Sequence, residues 1–274
     1  MPSYVFCNLC GNDETKILEE AEEPYKVVKC KLCGLVYVNP QPDKEELINS
    51  YSKEYYSEWI SLQRKSRLRL WRRRLKGLER YKERGKILDV GCGVGTFLDI
   101  AKKNGWEVYG TEISECGCRY AQENFNLDAF HGELEEANFS DNLFDVVTLW
   151  HVIEHLTNPL KTLREVRRIL KKDGLLVVAT PNIGNYIMRI LYPLVRRKRL
   201  KLFSIDDKEL HLYHFSTETI QKAIEKAGFK IVNIGFGLSA TVLTKELMDY
   251  IANFVWSIFR INIGSEIKVY CIDY

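Results

Sequence analysis

Three groups of side chains in this 274-residue chain have the types and spacing of chemical sites. The first is LWHVIEHL, residues 149–156, where His151, Glu154 and His155 stand in the order H-x-x-E-H. On a helix these three would project from neighbouring turns of one face, the spacing with which an inverted zinc protease presents its metal ligands and base. The second group is Cys7-x-x-Cys10 and Cys30-x-x-Cys33, each pair followed by a glycine, Gly11 and Gly34. Two such knuckles present four thiolates to one zinc, and four protein ligands leave no position open, so the site is read as structural. The third is ILDVGCGVGTFL, in which Gly91, Gly93 and Gly95 follow Asp89, with Glu112 roughly 20 residues further on.

The elements that must position these groups follow from periodicity. KILDV reads as a short apolar strand and TFLDIAKKNG as a helix ending at Gly105. WEVYGTEI is a strand, ECGCRYAQENF a helix, DAFHG a short strand and FDVVTLW a buried strand. NPLKTLREVRRILKKDG reads as a helix with a basic last turn running to Gly174, and LLVVAT as the strand after it. STETIQKAIEKAGF is a helix capped by Ser216 and ended by Gly228; KIVNIGF and EIKVYCI are the last strands. Alternating strands and helices argue for a parallel sheet covered on both faces. The glycine loop then lies between the first strand and its helix, where the backbone turns sharply and a ligand lies against the main chain. Glu112 ends the second strand, where a carboxylate accepts from both hydroxyls of a ribose.

That layout decides the H-x-x-E-H stretch. It begins where the buried strand FDVVTLW ends, which places His151 in a turn at the ligand mouth and leaves Glu154 and His155 in the segment leading to Asn158-Pro159. Nothing requires the three to share a helical face. The protease reading fails, Glu154 and His155 are read as structural, and the zinc is assigned to the cysteines.

Ahead of the sheet, residues 1–40 form a cysteine-bearing module ending at the double-proline break NPQP, and residues 41–84 are helical. The module is too short to hold itself together by core burial, so the metal supplies its folding energy. From Arg64 to Lys86 twelve basic residues stand against Glu79 and Glu83, and Leu62, Leu68, Trp71, Leu75 and Leu78 recur among them at helical spacing. The net charge of +3 implies no polyanionic partner by itself. The first residues show no secretory signal, and no apolar run approaches the roughly 20 residues of a membrane span. With no further cysteines at metal spacing, the expectation is a cytoplasmic chain.

The segments LDVGCGVG, YGTEIS, HGELEEANFSDNLFDVVTLWHVIEHLTNP and LREVRRILKKDGLLVVATPN occur in an order that resembles class I S-adenosylmethionine-dependent methyltransferases. Within that superfamily the chain is similar to the ubiquinone O-methyltransferases and to methyltransferases of glycan and natural-product gene clusters. The resemblance covers most of the chain from about residue 85 and is specific to the cofactor rather than to the substrate. It implies a doubly wound, Rossmann-like α/β fold with a seven-stranded sheet, parallel except for the last strand, over residues 85–274. It also implies that Asp89 and the Gly91–Gly93–Gly95 loop hold the methionyl end of S-adenosylmethionine and that Glu112 takes the ribose. Glu133 and Leu134 would flank the adenine, and Trp150 and His151 would lie near the sulfonium. A hydroxyl acceptor would benefit from a general base, for which His151, His214 and His211 are the candidates. The N-terminal module resembles a region found on some sugar C-methyltransferases, whose further C-terminal domain has no counterpart in these 274 residues.

Two insertions, about 183–210 and 240–262, would emerge on the cofactor side and form a helical lid with the Tyr51-to-Trp59 aromatics. The first carries Ile187, Ile190, Leu191, Leu194 and Val195 beside Arg196, Arg197, Lys198, Arg199 and Lys201. Apolar anchors beside a basic cluster suit contact with the inner membrane surface through residues 186–203, or a lipid substrate bearing a phosphate. Helices that merely wall in a small substrate would look the same. A zinc ribbon beside a basic helix is also an RNA-binding footprint. Leucines and Trp71 interleave those basic residues, and the Asn/Asp-Pro-Pro-aromatic sequence used on exocyclic amines is replaced by Trp150-His151-Val152-Ile153, so nucleic acid is not the expected partner. The expected acceptor is a hydroxyl of a small molecule, glycan precursor or lipid-linked intermediate; RNA methylation and sugar C-methylation are the alternatives.

Overall fold

The structure is a computed structural model that describes residues 1–50, 56, 65–185, 201–237, 253–256, 258 and 264–273. Most of both expected lid insertions, including Ile187 to Arg199, lies outside the described residues, as do Leu62 and every aromatic of the Tyr51-to-Trp59 stretch except Tyr56.

Strands β1 (Thr15–Glu20), β2 (Lys26–Cys30) and β3 (Val36–Val38) follow one another antiparallel near the N-terminus. Helices α1 (Lys44–Ser50) and α2 (Lys65–Leu78) lead to the main sheet. There the chain runs β4 (Lys86–Val90), α3 (Thr96–Lys103), β5 (Glu107–Glu112), α4 (Glu115–Phe125), β6 (Asp128–His131), β7 (Phe144–Trp150), α5 (Pro159–Ile169) and β8 (Leu170–Pro181). Strand β9 (Tyr213–His214), helix α6 (Thr217–Lys226) and strands β10 (Phe229–Gly237) and β11 (Glu266–Asp273) complete the described elements. The main sheet has the order β10-β11-β8-β7-β4-β5-β6. Strands β6, β5, β4, β7 and β8 are mutually parallel, and β11, the last in sequence, is antiparallel to both of its neighbours. This is the Rossmann-like sheet that the sequence predicts.

Residue alternation along the strands divides the core between the two faces of the sheet. Leu88, Val90, Val147, Leu149, Leu176 and Val178 pack with Leu163 and Val166 of α5, Ile220 and Ile224 of α6, and the ribbon residues Val27 and Tyr37. Ile87, Val146, Leu175, Val177 and Ala179 face the other way, onto Phe97, Leu98 and Ala101 of α3, Ala121 of α4, and Leu75 and Leu78 of α2. The basic helix is therefore amphipathic. Its leucines close one face of the core while Arg72, Arg73 and Lys76 remain exposed.

Two helix ends differ from the periodicity. Helix α2 stops at Leu78, short of Arg84, because the chain turns to stack Tyr81 on Tyr270 of β11. Helix α5 stops at Ile169 rather than at Gly174. Leu170 is fully buried and pairs with Phe144, and Lys171 reaches Asp145 at 2.8 Å, so extended structure begins five residues before Leu175. Asp173 then adopts a left-handed φ of 60° within an irregular stretch of β8 that restores the register.

The N-terminal strands are built into the rest of the molecule. Strand β9 pairs with β3 and extends the small sheet to β1-β2-β3-β9. The Glu19 carboxylate accepts from the backbone N–H of Leu202, Asn8 Oδ1 accepts from Leu160 N–H, and Lys226 Nζ donates to the Leu9 carbonyl.

The antiparallel course of β11 has one consequence for the site. Its first residue, Glu266, pairs with Pro181 and so stands at the carboxyl edge of the parallel strands, deep in the protein. Arg74 of α2 reaches it at 2.6 Å, with both side chains almost wholly buried. The guanidinium lies 4.8 Å from the Trp71 ring centroid and 4.5 Å from that of Trp150, a desolvated cation–π contact. Removing the arginine takes from the buried carboxylate its nearest cation and leaves it to His151 and Lys268. Arg74→Met should therefore lower the unfolding free energy in urea by roughly 3–5 kcal/mol, and adding Glu266→Gln should recover part of it. A loss smaller than about 1 kcal/mol would contradict this role.

Candidate active site

The carboxyl ends of β4, β5, β6, β7 and β8 open into one cavity of about 560 Å³, a size typical of ligand sites. Asp89, Gly91, Gly93, Glu112, Glu133, Leu134, Trp150, His151, His155 and His211 line it. The sheet thus brings together in space most of the residues singled out from the sequence. Gly95 and His214 are not on the wall.

The glycine loop is a run of left-handed residues, with φ of 65° at Gly91, 55° at Gly93 and 78° at Gly95. Gly95 caps α3, and a Cβ there would lie 2.5 Å from Leu127 and 2.8 Å from Ala121. Its contribution is to let the start of α3 approach α4 closely. Gly93 differs: a Cβ would meet only Tyr56, at 3.8 Å, so bare backbone faces open space where a ligand can lie.

Glu112 is buried beside it. Its carboxylate accepts from Gly93 N–H at 2.7 Å, Ser114 N–H at 2.8 Å and the Tyr56 hydroxyl at 3.0 Å. Burial raises its pKa, and those donors work against the rise. Asp89 accepts from the Thr148 hydroxyl at 2.6 Å, and burial pushes its carboxyl up to about 7. Glu133 caps the short 3-10 turn Leu134–Glu136 and pairs with Lys44 at 3.0 Å, while Leu134 is buried against the cavity.

His151 occupies a left-handed position, φ 58°, just past the end of β7. Its Nε2 lies 2.8 Å from Glu266, and its Nδ1 lies 3.4 Å from Glu154. Burial alone would lower its pKa, but the two carboxylates outweigh that and raise it to about 9. A ring protonated on both nitrogens has no lone pair to accept a proton, so the expected base role does not fit His151 at neutral pH. His214 does not fit it either. It lies in β9, paired with Val36 of the ribbon, and burial takes its pKa down to about 3. His211 is on the cavity wall, and burial lowers its pKa, so its ring is neutral at pH 7 and able to accept.

Arg74 and Glu266 were not singled out from the sequence. Arg74 is one basic residue among many in α2, though it is flanked by the Trp71 and Leu75 positions of the apolar face. Glu266 is the acidic start of the strand EIKVYCID, which was the available signal.

In the N-terminal module the Sγ atoms of Cys7, Cys10, Cys30 and Cys33 all lie within 4.8 Å of one another. Gly11 and Gly34 hold left-handed φ of 77° and 83°, and their N–H groups donate to the carbonyls of Cys7 and Cys30. These are the paired turns that four thiolates around one tetrahedral ion require.

The sequence pattern of the methyltransferase-domain family matches residues 61–234. The chain belongs to that family. A demethylmenaquinone methyltransferase of Staphylococcus saprophyticus is 28% identical over 182 residues, covering 60% of this chain and 78% of the relative. Magnesium protoporphyrin IX methyltransferase from Synechocystis, solved with bound S-adenosylhomocysteine, superposes with a TM-score of 0.61 at 14% identity, over 85% of this chain and all of that one. A SAM-dependent methyltransferase from Archaeoglobus fulgidus gives 0.55 at 21% identity, over 80% of this chain and 99% of that one. The protein is an S-adenosylmethionine-dependent methyltransferase.

Its cofactor carries an amine that a carboxylate attracts only when ionised. Affinity for S-adenosylhomocysteine should therefore fall as Asp89 takes up its proton, between about pH 8 and about pH 6, with the midpoint near 7. Calorimetric titration of wild type and Asp89→Asn tests this: the variant should bind more weakly and lack that pH dependence.

Proposed function

We propose that the enzyme transfers the methyl group to a hydroxyl of a small molecule, glycan precursor or lipid-linked intermediate. The observation carrying this reading is the set of polar side chains on the cavity lining outside the glycine loop and Glu112, among them His155, Thr157, Glu209 and His211. The relative named for demethylmenaquinone supports including quinone-like ring compounds among the acceptors.

The cofactor supplies a methyl already activated on sulfur. What remains for the chain is alignment, exclusion of water and removal of the hydroxyl proton. The bare Gly93 backbone and the ionised Asp89 carboxylate would hold the methionyl end. The Glu112 carboxylate would accept from the ribose hydroxyls, taking over from the Tyr56 hydroxyl that now donates to it. Glu133 and Leu134 would border the adenine, and Trp150 would face the sulfonium. For the proton, the wall offers His155 and His211.

We also infer one structural zinc on Cys7, Cys10, Cys30 and Cys33. Thiolates in two glycine-ended turns suit a closed tetrahedral site, and the small ribbon sheet has little core of its own to replace it. Stripping the metal under denaturant should leave the ribbon unable to refold, read as loss of amide-exchange protection at Val27, Val28 and Tyr37 on returning the chain to metal-free buffer. Full protection without metal would contradict the assignment.

The acceptor is tested with methyl-labelled cofactor and a panel of a hydroquinone, a nucleotide sugar, a polyprenyl-linked sugar and total RNA. Label should enter a hydroxyl compound as a base-stable ether, and His211→Gln should slow that transfer about 100-fold with cofactor affinity unchanged. Label entering RNA, or remaining on the cofactor across the panel, would overturn the reading.

A further inference from the structure

The two cysteine knuckles differ in what their intervening residues touch. In Cys30-Lys31-Leu32-Cys33 those residues face outward, with Lys31 exposed and Leu32 70% exposed. In Cys7-Asn8-Leu9-Cys10 they are docked against α5 and α6. Leu9 is buried in the core that includes both helices, and its carbonyl accepts from Lys226 Nζ of α6 at 2.7 Å. Asn8 uses both ends of its amide. Its Oδ1 accepts from Leu160 N–H at 3.0 Å, and its Nδ2 donates to Asn158 Oδ1 at 2.8 Å.

Both contacts fall at the start of α5, where the first N–H groups of a helix have no partner within it. Asn158 is the N-cap, and its Oδ1 also accepts from Lys161 N–H at 3.1 Å. A backbone N–H only donates, so Leu160 and Lys161 fix the orientation of both side-chain amides. With its Oδ1 accepting twice, Asn158 has the donor half of its amide left for a bound molecule. Thr157, Asn158, Lys161 and Thr162 all line the cavity. Tyr213 of β9 holds the same turn: its hydroxyl donates to the Thr157 carbonyl at 3.2 Å, and its ring stacks on Tyr37 of β3. The cap of a cavity-lining helix is thus completed by a residue 150 positions earlier in the chain. That residue sits between two of the four cysteines. Two residues between two ligands of one ion have little freedom, and without the ion the loop loses that constraint.

We propose that Asn8 is a positioning residue of the active site: through Asn158 and Leu160, metal on the cysteines fixes the first turn of α5 at the cavity wall. The metal module is then a working part of the methyl-transfer site rather than a self-contained appendage. The role of the metal rests on the assignment of zinc to the four cysteines.

The test is backbone amide exchange, read by NMR on the isotope-labelled full-length chain. Zinc is counted by elemental analysis, and S-adenosylhomocysteine is titrated to show that the main domain is folded. Zinc-loaded wild type, Asn8→Ala and Asn8→Asp are compared, and the first two again after chelation. Asn8→Ala should exchange Leu160 and Lys161 N–H roughly fivefold faster than wild type, the worth of about one hydrogen bond, while keeping its zinc and its saturable cofactor-product binding. Asn8→Asp should separate the two amides. Its carboxylate still accepts from Leu160, but Asn158 turns Nδ2 toward that carboxylate and leaves Lys161 without its acceptor. Chelation should give wild type the Asn8→Ala pattern and add little to Asn8→Ala itself. Mere loosening of the packing would instead reach interior amides of α5, such as Val166 and Ile169, and would not distinguish Leu160 from Lys161; that result overturns the positioning role. If the chelated chain no longer binds S-adenosylhomocysteine, the zinc-loaded variants decide. Equal protection of Leu160 and Lys161 in all folded forms would overturn the positioning role and leave the zinc assignment standing. Wild type that holds no zinc would defeat the zinc assignment and the coupling with it.

Discussion

The ion pair between Arg74 and Glu266 is the contact on which the arrangement of the active-site mouth depends. It joins a helix that precedes the main sheet to the last strand of that sheet, across 192 residues of sequence, in a setting closed to water. Such a pair contributes less to net stability than to uniqueness, because any other placement of α2 would strand a charge. Trp71 and Trp150 bracket the guanidinium, and His151 shares the same carboxylate oxygen of Glu266. The position of Trp150 and the charge on His151 follow from it. The role of the basic helix follows too: its apolar face and Arg74 are structural, while Arg72, Arg73 and Lys76 stand on its exposed side.

The cofactor cradle is built on a different principle. Gly93 and Glu112 come from the ends of adjacent parallel strands, and the hydrogen bond between Gly93 N–H and the carboxylate orients both before any ligand arrives. A buried carboxylate satisfied by two backbone amides and a phenol is held in one place at the cost of desolvation. The cavity lining also includes His155 and His211, and the segment after His211 enters β9, which pairs with β3 of the N-terminal sheet. The ribbon is thus a structural support for the acceptor side as well as a candidate metal module.

Much of this was legible in the sequence because it depends on local backbone demands. Glycines at Gly91, Gly93 and Gly95, the acid closing β5 and the glycine-ended cysteine pairs each follow from a turn that few other residues can make. Ser216 as the cap of α6 was legible for the same reason, its hydroxyl accepting from Thr219 N–H. The end of α5 was not, because burial of Leu170 against Phe144 overrides a helical period that continues through Lys171 and Lys172. The histidines were found but not their protonation. The state of His151 is decided by Glu154 together with Glu266, which lies 115 residues away, and that of His214 by burial where β9 pairs with β3. No spacing rule carries such information.

All of these features serve one claim, that the glycine loop and Glu112 form the cofactor site of a methyltransferase. Titration calorimetry of S-adenosylhomocysteine into wild type and Glu112→Ala at about pH 8 tests it most directly. The account predicts one saturable site per chain in wild type and at least a tenfold weaker one in the variant, since hydrogen bonds to a charged group are each worth about 1.5–3 kcal/mol. No binding to wild type, or equal binding to both proteins, would contradict it.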